Sequence, residues 1–467
     1  HHHSHAAAAF YPSPFDEAAI VIMDGVGEWA TTSIGYGKDR DIKLEREIRF
    51  PHSMGMLYSA FTYYLGFKVN DGEYKVMGLA PYGEPVYADL IIEKLLDVKD
   101  DGSFHMDMSY FNYTTGLTMT NDKFAKIFGA PRREPTDPLT EFHMNIARSV
   151  QAVAEKLIMG VCREAHRLTG SKNLCLAGGV ALNCVANGLV QREGPFDNIW
   201  IQPASGDAGS ALGVALATAN LLGDTRVPAP KNGADAMRGS YLGPEFGDDD
   251  IRGVLDEYDA VYERLDDDAM LSTVADALAG NEIVGWFQGR MEFGPRALGN
   301  RSILGNPASP AMQKTLNMKI KYRESFRPFA PAVLKEDASE HFQFEGDSPY
   351  MLIVAPVREE DRFDLSDDDK ARTGLDRLNV VRAKLPAITH VDYSARIQTV
   401  TPDSNKRFYD LISAFKKRTG NGVLVNTSFN VRDEPVVCSP EDAYRCFMAT
   451  EMDMLVLGNF VLRKSAQ

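Results

Sequence analysis

The chain has 467 residues, of which 44% are hydrophobic and 25% are charged, and its formal net charge is -15. The length suggests about three domains, and the composition is that of an ordinary globular protein, which excludes a disordered or fibrous one. The acidic balance argues against a general affinity for nucleic acid or anionic lipid, although a local basic pocket can still bind phosphates.

The cysteine pattern favours a reducing compartment, and we therefore expect a cytoplasmic protein. Five cysteines are few for this length, and no two have the spacing CxxC, which favours free thiols over a disulfide framework or a zinc knuckle. The sequence contains no run of about 18 consecutive apolar residues, so no membrane span is predicted. The N-terminus shows no signal peptide. Because the chain reads as if it starts within a domain, the sequence does not exclude a signal peptide upstream. The cysteines are Cys162, Cys175, Cys184, Cys438 and Cys446.

The chain opens with HHHSH and a run of alanines. A histidine run at a terminus is typical of an engineered tag, but here no Met and no linker accompanies it. His1 and His5 are four residues apart, so on a helix they share one face, as two ligands of one metal must. His2 and His3 are poorer candidates because they point away from that face. The residues alone leave both interpretations open.

A strand hairpin that ends its first strand in an acid is predicted next. The apolar segment Ala19–Met23 is followed by Gly25 and Gly27 and then by alternating small and polar residues, a pattern typical of a hairpin. Asp24 lies where the first strand meets these glycines, where a carboxylate can face a cleft while a ligand approaches the backbone. Its alternative role is to cap the turn.

A long helix is predicted from Phe142 to Gly170, since apolar residues recur at helical spacing. The segment NLCLAGGVALN then reads as a short strand, a turn at Gly178 and Gly179, and a new helix. In this arrangement the N-terminal amides of a helix can meet a phosphate. The loop ASGDAGSALG places Asp207 at the start of a further helix, where it is either an N-cap or a ligand.

A linker between two compact domains is predicted within residues 221–250, which are rich in Gly, Pro and Asp. With a boundary near Arg238, the predicted domains are 1–238 and 239–467. The acidic segment 358–377 reads as a solvated excursion inside the second domain rather than a boundary.

Positive charge gathers in the second domain, around GRMEFGPRALGNRS and MKIKYRESFRPFAP. Arg and Lys beside strand ends and glycines can clamp a triphosphate, Arg by paired hydrogen bonds and Lys as a point charge. The alternative is a solvated surface. These cations are Arg290, Arg296, Arg301, Lys319, Lys321, Arg323 and Arg327.

Polar side chains at the end of the predicted strand VLVNTSFN suit phosphate oxygens, although the segment alone could be a turn. Arg396, in HVDYSARIQTV, is a further basic residue that we expect in the same pocket. The polar residues are Asn426, Thr427, Ser428 and Asn430.

Together these motifs resemble those of the O-carbamoyltransferases of nodulation-factor and antibiotic biosynthesis, the NodU/CmcH type. HHHSH, DGVGE, EYKVMGLAPYG, LAGGVALN and SGDAGSALG occur in the order found in that family, over nearly the whole chain. The resemblance implies an α/β protein with a partial actin/hexokinase-like (ASKHA, TsaD-like) domain in residues 1–238. It implies a YrdC-like domain in residues 239–467, because KYR and TSFN resemble the signature of that fold. In this family further residues precede the first domain, so the general base for the acceptor is expected upstream of His1.

The resemblance assigns roles by position. It implies a divalent transition metal, Fe²⁺ first and Zn²⁺ or Mn²⁺ as alternatives, and donors of this kind suit all three. The implied metal ligands are His1, His5, Asp24 and Asp207. The residues implied to stabilise charge as carbamoyl phosphate and Mg²⁺-ATP form carbamoyl-adenylate are Lys321, Arg323, Arg290 and Arg296. Those implied to bind the nucleotide or the carbamoyl group are Gly178, Gly179, Asn183, Arg301, Arg327, Arg396, Asn426, Ser428 and Asn430.

The implied function is transfer of the carbamoyl group to a hydroxyl of a small-molecule acceptor, with no nucleic acid or membrane partner and with a homodimer left open. A tRNA threonylcarbamoyl enzyme would use the same two folds and act on a polyanion. The net charge of -15 argues against this alternative. A hydrogenase-maturation carbamoyltransferase would carry CxxC pairs, which this sequence lacks. A non-catalytic nucleotide-binding scaffold would bind ATP without turnover.

Overall fold

The computed structural model describes residues 1–223 and 234–467, so part of the predicted linker, residues 224–233, lies outside the described residues. The chain forms two compact units, each with its own principal sheet. The first unit is His1–Ala236 with Arg372–Arg377, and the second is Met237–Ala371 with Leu378–Gln467. The predicted mixed α/β class is confirmed. The finer assignment of a TsaD-like and a YrdC-like fold stays a prediction.

The strands of the first unit are β1 (Glu17–Met23), β2 (Ala30–Lys38), β3 (Asp41–Arg49), β4 (Leu96–Val98), β5 (Phe104–Met106), β6 (Asn173–Ala177) and β7 (Asn198–Ile201). Five of them form a sheet of order β3-β2-β1-β6-β7, and β4 pairs with β5. β1 and β2 form the predicted antiparallel hairpin, while β1, β6 and β7 run parallel. The carboxyl ends of these parallel strands therefore meet at one edge of the sheet, which is where Asp24 and Gly178 follow β1 and β6.

The helices of the first unit are α1 (His2–Phe10), α2 (Met54–Tyr64), α3 (Glu73–Leu79), α4 (Ala88–Leu95), α5 (Asp122–Phe128), α6 (Glu141–Thr169), α7 (Cys184–Glu193) and α8 (Asp207–Leu221). α6 confirms the predicted long helix, which begins after Thr140 and ends at Gly170 with a φ of +63°. α1 packs directly on α8. The two helices are so close that a Cβ atom on Gly213 would overlap the carbonyl oxygen of Ser4. This close approach brings the first turns of α1 and α8 together.

The strands of the second unit are β8 (Glu263–Arg264), β9 (Val284–Phe287), β10 (Arg301–Gly305), β11 (Ala330–Leu334), β12 (Ile353–Pro356), β13 (Ser394–Val400), β14 (Val423–Ser428), β15 (Met454–Leu457) and β16 (Phe460–Arg463). They form one mixed sheet of order β12-β13-β11-β14-β10-β9-β15-β16-β8. The predicted strand in VLVNTSFN corresponds to β14. The KYR and TSFN motifs precede β11 and end β14, and these two strands are antiparallel neighbours.

The helices of the second unit are α9 (Asp248–Glu257), α10 (Asp267–Ala279), α11 (Met312–Thr315), α12 (Ala338–His341), α13 (Asp367–Lys370), α14 (Pro402–Thr419) and α15 (Pro440–Met448). α10 and α14 pack on the sheet and share an apolar core with it, in which Trp286, Phe408 and Phe415 are fully buried. The indole nitrogen of Trp286 donates to the carbonyl of Gly299 at 2.8 Å, so its polar atom is satisfied inside the core.

Part of the acidic segment differs from the expectation that it lies inside the second domain. Arg372–Arg377 packs with the first unit instead, where Nη1 of Arg377 donates to the carbonyl of Pro81 at 3.0 Å. Gly374 has a φ of +54° and lies close to Met144. Charge density predicts that a segment is solvated, but it does not predict which surface a short turn contacts.

All five cysteines are free, as the spacing predicts, and four of them are buried. Within residues 1–223 and 234–467, no helix combines the length and the apolar character needed to span a bilayer.

Candidate metal centre and cation cluster

The HHHSH motif forms the first turn of α1. The amide of His5 donates to the carbonyl of His1 at 3.1 Å, and the alanines that follow favour a helix and allow close packing on β1, β6 and α8. His1 and His5 lie on one face of this turn, with their Nε2 atoms 3.0 Å apart. Two imidazole nitrogens are thereby presented side by side.

Two carboxylates meet this imidazole pair. Asp24 directly follows β1, and its Oδ2 lies 3.2 Å from Nε2 of His1 and 3.8 Å from Nε2 of His5. Asp207 is the first residue of α8 rather than its N-cap, which is Gly206, and its Oδ1 lies 3.2 Å and 3.3 Å from the same two nitrogens. One ligand atom from each of the four residues lies within 4.8 Å of all the others.

The donor set and its spacing fit a divalent transition metal. Two ligand atoms about 2.1 Å from one ion are about 3.0 Å apart when their bonds are perpendicular and about 3.4 Å apart in a tetrahedron. The nitrogen–oxygen distances of 3.2 to 3.8 Å are close to these values. Oδ1 of Asp24 is buried and has no hydrogen-bond partner within the described part of the chain, as expected of an oxygen that serves an ion or a substrate. Iron(II), zinc and manganese all accept this donor set.

Exposure differs across the cluster. His5 and Asp24 are buried, whereas the side chain of Asp207 is 76% exposed. Burial lowers the pKa of His5, and the charges of Asp24 and Asp207 oppose this shift only in part. The ring is therefore neutral near pH 7, which is the form that binds a metal. The side at Asp207 is open to ligands.

His2 is absent from the cluster of four ligand residues, as expected of a poorer candidate, but it still contacts one of them. His2 is buried, its Nε2 lies 3.1 Å from Oδ2 of Asp24, and its Nδ1 lies 2.7 Å from Oγ of Ser33. Helical spacing predicts that His2 leaves the face of His1 and His5. It does not predict that the β1–β2 hairpin packs against α1 on the side of His2. His3, by contrast, is exposed.

The glycine turn after β6 lies against the strand that carries Asp24. Gly178 has a φ of +87°, and a Cβ atom there would overlap the carbonyl oxygen of Met23. Only glycine therefore allows this turn to reach the end of β1. Gly179 is exposed, with open space at its Cα.

The predicted helix after this turn begins later than expected. A 3₁₀ turn, Gly179–Leu182, comes first, and α7 starts at Cys184 with Asn183 as its N-cap. Oδ1 of Asn183 accepts from the amide of Ala186 at 3.1 Å, and Nδ2 donates to Gln151 at 3.1 Å. The side chain thus has partners inside the fold, and its role towards a nucleotide stays a prediction.

In the second unit, Lys321 is buried at the end of a π-helix, Leu316–Ile320. Its Nζ donates to the carbonyl and hydroxyl of Ser428 and to the carbonyl and side-chain oxygens of Asn430. Burial lowers the pKa of Lys321 well below its usual value, and the charge of Arg323 adds to this effect. The KYR and TSFN motifs are therefore in direct contact.

Asn317, a buried amide that no sequence pattern marks, positions the neighbouring arginines. Oδ1 of Asn317 accepts from Nε of Arg323 at 2.7 Å, and Nδ2 of Asn317 donates to the carbonyl of Arg327 at 3.1 Å. The guanidinium of Arg323 also lies 4.7 Å from the centre of the Phe329 ring. Asparagine in a helix has no distinctive spacing, so only the contacts reveal this role.

Arg301 lies inside the fold rather than at the surface. It is fully buried, its guanidinium lies 3.6 Å from the centre of the Phe287 ring, and burial lowers its pKa to about 10. Its Nε is buried and has no hydrogen-bond partner among the residues described, and its predicted binding role stays a prediction. The carbonyls to which its terminal nitrogens donate belong to Pro244, Gln288, Gly289 and Asn300.

The loop that carries Arg290 and Arg296 is organised by Glu292, which sequence reasoning missed. Arg290 is exposed and pairs with Glu245 at 3.4 Å, and Arg296 is half-buried. One carboxylate oxygen of Glu292 fixes the loop through three backbone amides. These amides belong to Leu298, Asn300 and Arg301, at 2.7, 2.9 and 3.2 Å.

Asn426 and Arg396 lie on β14 and β13, on either side of β11. Nδ2 of Asn426 donates to Gln398 at 2.7 Å and to the carbonyl of Ala297 at 3.2 Å. Oδ1 of Asn426 and Nε of Arg396 are buried and find no hydrogen-bond partner among the residues described. Unsatisfied buried polar atoms of this kind are expected where a ligand binds.

Known protein families and individual proteins are similar to most of the chain. The family description "Carbamoyltransferase N-terminus" matches residues 1–216, and "Carbamoyltransferase C-terminus" matches residues 275–464. An uncharacterized protein of Synechocystis sp. is 60% identical over 100% of this chain and 76% of its own length. Nodulation protein NolO of Bradyrhizobium diazoefficiens is 38% identical over 99% of this chain and 78% of its own. The 3'-hydroxymethylcephem-O-carbamoyltransferase of Amycolatopsis lactamdurans is 30% identical over 98% of this chain and 79% of its own.

The chain therefore belongs to the carbamoyltransferase family, and the resemblance drawn from its motifs is confirmed. Its O-carbamoyltransferase relatives support a transferase.

Proposed function

We propose that this protein is an ATP-dependent O-carbamoyltransferase that makes carbamoyl-adenylate and passes the carbamoyl group to a hydroxyl of a small-molecule acceptor. The observation that carries the proposal is the convergence of two imidazoles and two carboxylates, within 4.8 Å of one another, in a chain of the carbamoyltransferase family. The relative named for a hydroxymethylcephem supports an alcohol as the acceptor.

The first half-reaction takes place in the second unit. Water removes the phosphoryl group of carbamoyl phosphate, which leaves carbamate and inorganic phosphate. A carbamate oxygen then attacks the α-phosphorus of Mg²⁺-ATP, and pyrophosphate leaves with the electron pair of the broken phosphorus–oxygen bond. Negative charge develops on the phosphoryl oxygens, and cations already in place stabilise it without reorganisation. The cations assigned to this step are Lys321, Arg323, Arg290 and Arg296.

The polar residues of the second unit position these cations and the substrate. Lys321 fixes the end of β14 through Ser428 and Asn430, and Asn317 holds Arg323. The unpaired amide oxygen of Asn426 is available for a carbamoyl N–H, which is the only kind of donor that this group carries.

The second half-reaction takes place in the first unit. The acceptor oxygen attacks the carbamoyl carbon, AMP leaves with the electron pair of the broken carbon–oxygen bond, and the acceptor proton is released. A metal held by His1, His5, Asp24 and Asp207 would supply a Lewis acid for carbamoyl or phosphoryl oxygens. The two imidazoles and two carboxylates provide its ligands, and the exposed side at Asp207 leaves an approach for substrate.

The experiment has two readouts. Carbamoyl-phosphate-dependent exchange of pyrophosphate into ATP reports the first half-reaction, and mass spectrometry of hydroxylated acceptors, with AMP release, reports the second. Arg323→Ala should lower the exchange about a hundredfold, since the loss of one donor to a developing oxyanion has this effect. Arg432→Ala, which removes an exposed arginine paired with Asp433, is the matched control.

Undiminished exchange in Arg323→Ala would remove the adenylation site from the second unit. Failure of every acceptor to gain a carbamoyl group, with exchange intact, would contradict the transfer half of the proposal.

A further inference from the structure

We propose that His2 is a positioning residue of the metal centre, which holds Asp24 in its ligand orientation while Ser33 fixes the His2 ring from the other side. The inference rests on the metal centre of the proposed function and adds residues that are not metal ligands. Its evidence is a chain of two hydrogen bonds, of 2.7 Å from Ser33 to His2 and of 3.1 Å from His2 to Asp24.

The directions of these hydrogen bonds follow from chemistry. A carboxylate only accepts, so Nε2 of His2 must carry the proton that it donates to Asp24. In the neutral ring Nδ1 is then an acceptor, and the hydroxyl of Ser33 donates to it. The side chains are almost fully buried, with exposed fractions of 4% for His2, 1% for Ser33 and 3% for Asp24. Water therefore does not compete for these bonds.

His2 is not a fifth ligand. The ring centres of His1 and His5 are 4.6 Å apart, whereas that of His2 is 6.0 Å and 6.4 Å from them. The ligand atoms that lie within 4.8 Å of one another belong to His1, His5, Asp24 and Asp207, and His2 contributes none of them. Its position is that of a partner behind a ligand rather than of a ligand.

The hydrogen bond to Oδ2 of Asp24 has a direct consequence for metal affinity. It sets the rotation of the carboxylate and therefore the position of both oxygens, including the buried and unpaired Oδ1. Partners of this kind typically change metal affinity by about 10 to 100-fold when they are removed.

The test measures the binding of cobalt(II) alone to the full chain, through its visible absorption and by competition with a chelator. His2→Ala should weaken cobalt binding by about 10 to 100-fold and change the absorption bands, because the carboxylate is no longer held. His2→Gln keeps an N–H donor at the same reach, so it should recover most of the affinity. His3→Ala removes the exposed neighbouring histidine and should bind cobalt like the wild type.

Ser33→Ala removes the other hydrogen bond of this chain, the one from Ser33 to His2. It should weaken cobalt binding less than His2→Ala does. If His2→Ala does not fold, Ser33→Ala is the deciding variant. A cobalt affinity and spectrum equal to the wild type in folded His2→Ala, or in Ser33→Ala if only that variant folds, would overturn the role of His2 alone. A wild-type chain that binds no cobalt would overturn the metal centre itself, and with it the proposed function.

Discussion

Individual residues next to the candidate metal centre are constrained by close contacts with its side chains. Gly27 is the sharpest case, because a Cβ atom there would lie 3.1 Å from Cδ2 of both His1 and His2 and 3.2 Å from the carbonyl oxygen of Ala30. No side chain fits at this point without movement of the histidines. The hairpin turn and the first turn of α1 are thus matched to each other.

We therefore expect Gly27→Ala to displace the histidine rings and to weaken metal binding, measured as cobalt(II) affinity. Gly25→Ala is the matched control, since its Cβ atom would make only an ordinary contact, 3.8 Å from the sulfur of Met56. Equal affinities in the two variants would contradict the close fit around Gly27.

Lys321 combines contacts that hold the fold with a proposed chemical role. In Lys321→Met the oxygens of Ser428 and Asn430 lose their shared donor, and we expect the free energy of unfolding to fall by about 1 to 3 kcal/mol. Pyrophosphate exchange should fall about a hundredfold as the cation is lost. Lys417→Met removes an exposed lysine and should change neither quantity. Normal exchange in a destabilised Lys321→Met would leave the residue a structural role only.

At the scale of elements, the packing of α1 on α8 decides whether the four proposed metal ligands meet. His1 and His5 come from the start of α1, and Asp207 comes from the start of α8. The two backbones approach closely at Gly213, where a side chain would overlap Ser4. The small residues of α1 and α8 therefore keep these helices, and with them the proposed metal ligands, together.

Gly213→Ala should force the helices apart, lower the free energy of unfolding by about 1 to 3 kcal/mol and reduce metal content. Denaturant titration and elemental analysis measure the two effects. Val214→Ala, at the exposed neighbouring position of the same helix, should change stability by less than about 0.5 kcal/mol. Full metal content in Gly213→Ala would show that the ligands do not depend on this contact.

A buried carboxylate in the second unit links α12 to the loops beside it. Oδ2 of Asp361 is 2.9 Å from Nδ1 of His341, and Oδ1 accepts from Lys384 at 2.8 Å. Burial alone raises the pKa of Asp361, but the hydrogen bonds and charges of Lys384 and His341 together outweigh it, and the pKa lies below its usual value. The stabilisation is therefore complete above the unfolded value of about 3.9 and is lost as the pH falls through the lower folded value.

We expect Asp361→Asn to be less stable than the wild type at neutral pH and to lose less stability than the wild type below about pH 4. Denaturant titrations across this range measure the difference. Asp364→Asn, at an exposed position of the same loop, should follow the wild-type curve. Parallel curves for Asp361→Asn and the wild type would show that Asp361 is not the titrating group.

At the scale of the whole molecule, the two candidate sites lie in different units, and the proposed half-reactions should therefore be separable. His5→Ala should lose the metal and the transfer of carbamoyl to an acceptor, while carbamoyl-phosphate-dependent pyrophosphate exchange remains near the wild-type level. Loss of exchange in folded His5→Ala would show that adenylation also depends on the first unit.

Much of the local structure could be predicted from the sequence. The hairpin of β1 and β2, the long helix α6 and the strand with its glycine turn at Gly178 follow from hydrophobic periodicity and from glycine, which encode local backbone and a buried face. The family followed from motif order. The late start of α7 was missed, because the side chain of Asn183, which caps α7 at the amide of Ala186, is also held by the distant residue Gln151.

The sequence by itself determined that histidines four apart share a helix face, that Asp24 ends a strand, and that the cations of the second half gather around two motifs. Only the tertiary structure decided that His2 reaches Asp24 and Ser33, which are 22 and 31 residues away, and that Arg301 donates to buried carbonyls. It also decided that Arg372–Arg377 packs with the first unit. The physical reason is that periodicity reports the direction in which a side chain leaves its own element, whereas its partner depends on which distant segment folding brings there.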